Sequence, residues 1–144
     1  MGVTIYCKKT HRSIDMGAGG FLLLRRKISE LAGEPLSTHY AALLDVPSHL
    51  TGELRQAFYK EFDEKTAKMI EEKKADIKII DFLLQSDVAG RIRYGACKKL
   101  LKIIGDYDDN VLYGYCGRPD CAKFADFKAI LQDCAETKSD LVWD

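Results

Sequence analysis

The segment Ile14-Asp15-Met16-Gly17-Ala18-Gly19-Gly20-Phe21-Leu22-Leu23-Leu24 changes from the apolar spacing of a strand to that of a helix. Ile14 and Met16 alternate with polar or small residues, which is typical of a half-buried strand. From Phe21 onward the apolar residues follow helical spacing. Glycine permits a tight turn and a close approach between segments, so we predict a strand, a turn and a helix. The glycines of this turn, here called the glycine turn, are Gly17, Gly19 and Gly20.

The residues before this segment predict a partner strand. Val3, Ile5 and Cys7 alternate with polar side chains, a pattern that favours a strand with one buried face. The polar stretch 8–11 is suited to a turn, so we expect a hairpin with the strand that precedes the glycine turn. Further along, residues 111–115 are predicted to form another strand that pairs with this hairpin.

Helical spacing dominates the rest of the chain. The expected helices begin at capping residues or after the glycine turn, and three of them are expected to end at glycine or before proline. Their expected starts are Phe21, Ser37, Ser48 or Thr51, Asp76, Asp87 and Asp120. The longest helix is expected to run to about Lys74. The helix that starts at Asp87 is expected to end at Gly105. We predict one globular domain, residues 1–144, of the α+β class and mainly helical, with five or six helices packed against a small N-terminal antiparallel sheet.

The composition is that of an ordinary folded protein, since 47% of the 144 residues are hydrophobic and 31% are charged. Lys and Arg together number 22, as do Asp and Glu, so no overall field draws the chain to nucleic acid or membrane. No stretch approaches the roughly 20 apolar residues of a membrane span. The first residues do not follow a signal-peptide pattern, and the five cysteines are irregularly spaced. We therefore expect a cytoplasmic protein with free thiols.

The glycine turn is the first candidate site. It precedes a helix N-terminus, whose N–H groups attract anions, and a basic run follows at Arg25. Because the loop 111–121 also flanks a predicted strand, we expect the two loops to lie together. The alternative is an ordinary tight connection, since the glycine spacing matches no nucleotide-binding motif. The predicted ligand or anion site comprises Gly17, Gly19, Gly20, Arg25, Arg118, Asp120 and Cys121.

Cys121 indicates a second hypothesis. It is expected at a helix N-terminus near Arg118, where thiols are activated, so one alternative is a thiol-dependent enzyme or redox-sensitive protein that uses Cys121 beside the glycine turn. Cys116 and Cys121 also have the spacing of half a zinc site, but no second pair of ligands completes it. We predict no metal and no cofactor, and inert thiols are the alternative interpretation of this pair.

Residues 91–102 form the most basic stretch of the chain and contain no acidic residue. Clustered cations next to an aromatic residue such as Tyr94 are typical of a nucleic-acid-binding surface. A solvated helix face, balanced by acids of neighbouring helices, is the alternative. If this stretch binds nucleic acid, its binding residues are Arg91, Arg93, Lys98, Lys99 and Lys102.

The string Thr4-Ile5-Tyr6-Cys7-Lys8-Lys9-Thr10 continues into residues 13–21, and Tyr113-Gly114-Tyr115 precedes residues 117–121. These segments are similar to a group of small uncharacterised proteins of Gram-positive bacteria and their phages. The resemblance implies a bacterial or phage origin and a cytosolic setting, and it implies no activity or binding residue.

Taken together, these patterns favour a small cytosolic binding or interaction protein that acts without catalysis. Its expected partner is another protein or a second copy of the chain, and no membrane is expected. A thiol-dependent enzyme and a nucleic-acid-binding accessory protein are the alternatives.

Overall fold

The computed structural model describes residues 2–46, 48–115, 118 and 121–144. Within them the strands are β1 (Gly2–Cys7), β2 (Ser13–Gly17), β3 (Gly90–Ile92) and β4 (Leu141–Trp143). The helices are α1 (Ala18–Ala32), α2 (Leu36–Leu44), α3 (Gly52–Glu71), α4 (Ile77–Leu84), α5 (Tyr94–Ile104) and α6 (Phe124–Thr137). The predicted fold class, a mainly helical α+β protein, is confirmed.

The four strands form one antiparallel sheet in the order β2-β1-β4-β3. The predicted hairpin is confirmed, with Val3 of β1 opposite Met16 of β2 and Ile5 opposite Ile14. β4 lies between β1 and β3 and pairs with both. Two of the four strands therefore come from outside the N-terminal region, which corrects the prediction of a mainly N-terminal sheet.

An aromatic cluster joins the sheet to three helices. Trp143 of β4 is completely buried, and its ring centroid lies 5.7 Å from those of Phe21 in α1 and Phe82 in α4. Phe82 in turn lies 5.9 Å from Phe127 of α6. These tilted and edge-on arrangements are the ones that aromatic pairs prefer, and they place the centre of the core at β4.

The helix predicted from Asp87 to Gly105 starts later than expected. Residues 90–92 form β3, and α5 begins only at Tyr94. A Cβ at Gly90 would overlap the ring of Trp143, so glycine lets the chain pass this ring closely. The main chain there is extended because β3 pairs with β4, and a helix cannot make that pairing.

Two predictions for the region after residue 110 are also wrong. Residues 111–115 do not form a strand of the sheet, and the pairing there is an isolated antiparallel bridge between Leu112 and Lys123. α6 starts at Phe124 with Lys123 as its N-cap, later than a helix capped by Asp120 would start. The carboxylate of Asp126 accepts a hydrogen bond from the Lys123 N–H at 2.9 Å, and this bond stabilises the helix end.

The longest helix, α3, packs against the rest of the protein mainly through its second half. Its buried residues are Phe62 and Met69, whereas Leu54 near its start is 68% exposed. No helix among the described residues is both long and apolar enough to span a membrane.

Candidate functional site

The glycine turn lies against the loop that follows residue 111, as predicted. Gly17 is the N-cap of α1, and a Cβ at this position would lie 3.9 Å from the ring of Tyr115. A Cβ at Gly20 would overlap the carbonyl group of Tyr113, whereas one at Gly19 would meet nothing within 4 Å. Gly20 therefore lets the first turn of α1 contact the main chain of Tyr113.

Asp109 anchors this loop. Its Oδ2 accepts hydrogen bonds from the hydroxyl groups of Tyr107 at 2.9 Å and Tyr113 at 2.7 Å. Burial, the hydrogen bond to Asp109 and the charge of that carboxylate raise the pKa of Tyr113. The tyrosine hydroxyl therefore stays protonated at neutral pH and keeps the loop in place.

Cys121 lies close to the place where the glycine turn meets the loop that follows residue 111. A Cβ at Gly114 would lie 3.0 Å from the carbonyl oxygen of Asp15 in β2 and 3.3 Å from the Cα of Cys121. The Cys121 N–H donates a hydrogen bond to the carbonyl of Arg118 at 3.2 Å, and the Arg118 guanidinium lies 5.7 Å from the ring centroid of Tyr115. Two loops that are distant in sequence thus meet beside β2.

The thiol of Cys121 has no described activating group. It is half-buried and not in a disulfide, and among the described residues its Sγ makes no hydrogen bond. Cys116 and Asp120 lie outside the described residues, so their predicted roles stay predictions. In the described part of the chain, no group of three His, Cys, Asp or Glu side chains is placed to hold a metal ion.

Arg25, which the sequence analysis assigned to the anion site, is buried in the core with 4% of its surface exposed. Its two terminal nitrogens donate hydrogen bonds to the carbonyls of Gln85 at 2.8 Å and Ser86 at 3.2 Å. The guanidinium also lies 4.4 Å from the ring centroid of Phe21. Burial lowers the pKa of Arg25. The structure therefore uses this cation to hold the segment after α4, where an external anion does not reach it.

Cys7 is a thiol that the sequence analysis did not single out. It is completely buried at the end of β1, with its Sγ 3.2 Å from the Oγ of Ser139. Burial raises the pKa of the thiol, but hydrogen bonds from Ser139, Thr10 and the main chain of Lys9 outweigh burial and lower the pKa to about 6. Such a thiol is polarised but closed to substrates, and no sequence signal distinguishes it from an ordinary buried cysteine.

The basic stretch lines an open groove of about 970 Å³ between β3, α4 and α5. Of the described residues that line it, six are cationic and one, Asp81, is acidic. The cationic residues of this basic groove are Lys78, Arg91, Arg93, Lys98, Lys99 and Lys102. The structure thus brings together all five residues of the predicted nucleic-acid surface and adds Lys78, which the sequence analysis missed.

Local structure explains why these cations share one face. Ile92 of β3 is buried, and Arg91 and Arg93 on either side of it are exposed. Successive residues of an extended chain point to opposite faces, and the main chain is still extended at Arg93, the N-cap of α5. Lys98 and Lys102 are one helical turn apart in α5 and lie on the same side of it. The strand and the helix therefore contribute cations to the same groove.

Lys78 reaches the groove from α4. Its Nζ lies 3.1 Å from the position that a Cβ at Gly95 would take, so the ammonium group lies against the first turn of α5. Asp76 fixes this end of α4, since its Oδ1 accepts a hydrogen bond from the Lys78 N–H at 2.8 Å. The other oxygen of Asp76 lies 3.4 Å from the Nζ of Lys99.

Acidic residues neutralise only part of this charge. Arg91 lies 3.6 Å from Asp140, but the Arg91 side chain remains 61% exposed, and exposed pairs of this kind are weak. Among the described residues, no ion pair involves Lys78, Arg93, Lys98 or Lys102. The groove therefore keeps an excess of positive charge although the whole chain has a net charge of zero.

A second open cavity, of about 530 Å³, lies between α2 and α3. His39 lies on its wall, stacks on Phe62 with centroids 4.0 Å apart, and places its Nε2 2.7 Å from the Oγ1 of Thr66. Burial and the nearby Lys65 lower the pKa of His39. Glutamates and lysines both line this cavity, so it favours no single class of ligand.

Among the described cavities, the basic groove has the largest excess of one charge. Comparison of the chain with models of protein families, with curated proteins and with solved structures finds no match.

Proposed function

We propose that the protein is a cytoplasmic nucleic-acid-binding protein that acts without catalysis, and that the phosphate backbone binds in the basic groove. The observation that carries this proposal is the convergence of six cations on one open groove with a single acidic residue among its described lining. Lys and Arg side chains supply most phosphate contacts in such complexes. The proposal keeps the binding role that the sequence favours and replaces the protein partner by a nucleic acid.

The glycine turn is less suited to bind an anion than the basic groove is. The space beside Gly20 is taken by the main chain of Tyr113, and Arg25 donates its hydrogen bonds inside the core. The groove cations, in contrast, have exposed side chains on three elements. Of these two candidate sites, the groove is therefore the one whose described residues combine open space with several exposed cations.

Phosphate binding in this groove has a measurable signature. Each cation that contacts a phosphate releases condensed counterions, so affinity falls as salt rises. If about three to five of the groove cations contact phosphates, the logarithm of the affinity should fall with the logarithm of the salt concentration with a slope of about −2 to −4. A neutral or apolar ligand would give a slope near zero.

The proposal is tested by fluorescence anisotropy with a labelled single-stranded oligonucleotide at low salt. The double variant Lys98→Glu, Lys102→Glu should bind on the order of tenfold more weakly or worse, because it removes two phosphate contacts and adds repulsion. The matched control is Lys8→Glu, Lys9→Glu, which changes the net charge equally at the exposed hairpin turn. This control should keep nearly all of the affinity.

Circular dichroism verifies that both variants fold. The double variant Lys98→Gln, Lys102→Gln removes the two positive charges without adding negative ones, and it serves as a second test of the groove. The proposal is wrong if the wild-type protein shows no salt-dependent binding, or if the hairpin control loses as much affinity as the groove variant.

A further inference from the structure

We infer that the basic groove selects single-stranded over double-stranded nucleic acid, because Tyr94 offers a base-stacking surface among the groove cations. This inference rests on the proposed function, since it specifies the ligand of the same groove. Tyr94 is the first residue of α5 and lines the groove. The residue is 38% exposed, and among the described residues its hydroxyl forms no hydrogen bond.

The cations around Tyr94 suit a nucleotide strand. The Nζ of Lys98 lies over one face of the Tyr94 ring, 5.4 Å from its centroid, and Arg93 directly precedes Tyr94 as the N-cap of α5. A phosphate bound by Lys98 or Arg93 brings its own base within reach of the ring. Proteins that bind single strands combine cations that follow the backbone with aromatic rings on which bases stack.

Other exposed tyrosines have different surroundings. The hydroxyl of Tyr59 accepts a hydrogen bond from Arg55 at 3.0 Å. The ring of Tyr115 lies beside Gly17 of the glycine turn. Neither residue lines the basic groove. Among the described residues, Tyr94 is therefore the one aromatic side chain that the groove presents to a ligand.

A residue that stacks on bases distinguishes single strands from duplexes, because only single strands have accessible base faces. In a duplex each base is stacked on its neighbours, so Tyr94 gains no contact unless the duplex opens. In a single strand the base faces are accessible, and each base that stacks on an aromatic residue strengthens the binding. The groove should therefore prefer single strands, with little dependence on the base sequence.

The test compares three fluorescently labelled probes of about ten nucleotides: oligothymidylate, an abasic strand with the same phosphates, and a duplex. The wild type should bind oligothymidylate most tightly. Tyr94→Ala should weaken the binding of oligothymidylate roughly tenfold or more and leave the affinity for the abasic strand unchanged. Tyr94→Phe keeps the ring and should bind as the wild type does. Tyr59→Ala, which removes a similarly exposed ring from α3, is the matched control.

The outcomes separate this inference from the proposed function. The inference is wrong if the wild type binds all three probes equally, or if Tyr94→Ala lowers the affinity for the abasic strand as much as that for oligothymidylate. In either case the phosphate-binding function stands. If the wild type binds none of the probes at low salt, both are wrong. Thermal unfolding of each variant verifies that Tyr94→Ala, at an exposed helix start, remains folded.

Discussion

Gly19 and Gly20 are neighbours in the chain with opposite surroundings, and this difference gives a test at the scale of single residues. Gly20→Ala should lower the free energy of unfolding by about 1–3 kcal/mol, because the added Cβ pushes α1 away from the Tyr113 carbonyl. Gly19→Ala should raise it by up to about 1 kcal/mol, since alanine favours helix and nothing lies nearby. Urea denaturation measures both. Equal effects of the two substitutions would contradict the described packing.

Arg25 shows the limit of sequence reasoning at the same scale. The strand, turn and helix around the glycine turn could be predicted, because their apolar spacing changes within a few residues. The burial of Arg25 could not, since its partners Gln85 and Ser86 belong to a distant segment. A basic residue inside a helix is usually solvated, so local sequence favoured the wrong environment.

At the scale of elements, predictions succeeded where a long segment repeats one spacing. The helices around Phe21 and Asp76 begin near their expected residues, and Asp76 is the cap that the sequence indicated. The strand β3 was missed because it has three residues, and Ile92 fits a helical spacing with the buried residues of α5 equally well. Its pairing with β4 is a long-range contact that local spacing does not contain.

The contact between α2 and α3 gives a pH-dependent prediction. Burial, and then Lys65, hold the pKa of His39 below its usual value near 6.5. The unfolded chain therefore takes up this proton first, so the free energy of unfolding should fall as the pH drops below about 6.5 towards the lower pKa of the folded state. His39→Phe keeps a ring against Phe62 and should remove this part of the pH dependence.

Urea denaturation of the wild type and His39→Phe at about pH 7 and about pH 5 measures the difference. Carboxylates titrate alike in both proteins, so the difference isolates His39. A wild type that loses no more stability than His39→Phe on acidification would show that the histidine is not held neutral by its packing on α3.

At the scale of the whole molecule, the distribution of charge matters more than its sum. The net charge is zero, yet six cations line one groove. Five of them were predicted as a group because they lie within residues 91–102, and Lys78 was missed because it belongs to another helix. That the groove is open and that Tyr94 lies within it depends on how α4, α5 and β3 pack, which composition and spacing do not specify.

The most direct test of nucleic-acid binding in the groove is to map the contact surface. Oligothymidylate is titrated into isotope-labelled protein, and the backbone amide chemical shifts are followed by nuclear magnetic resonance. We predict that the largest changes occur at residues 91–102 and at Lys78, and that they disappear at high salt. Changes centred on the glycine turn and residues 113–115, or no changes at low salt, would contradict the account.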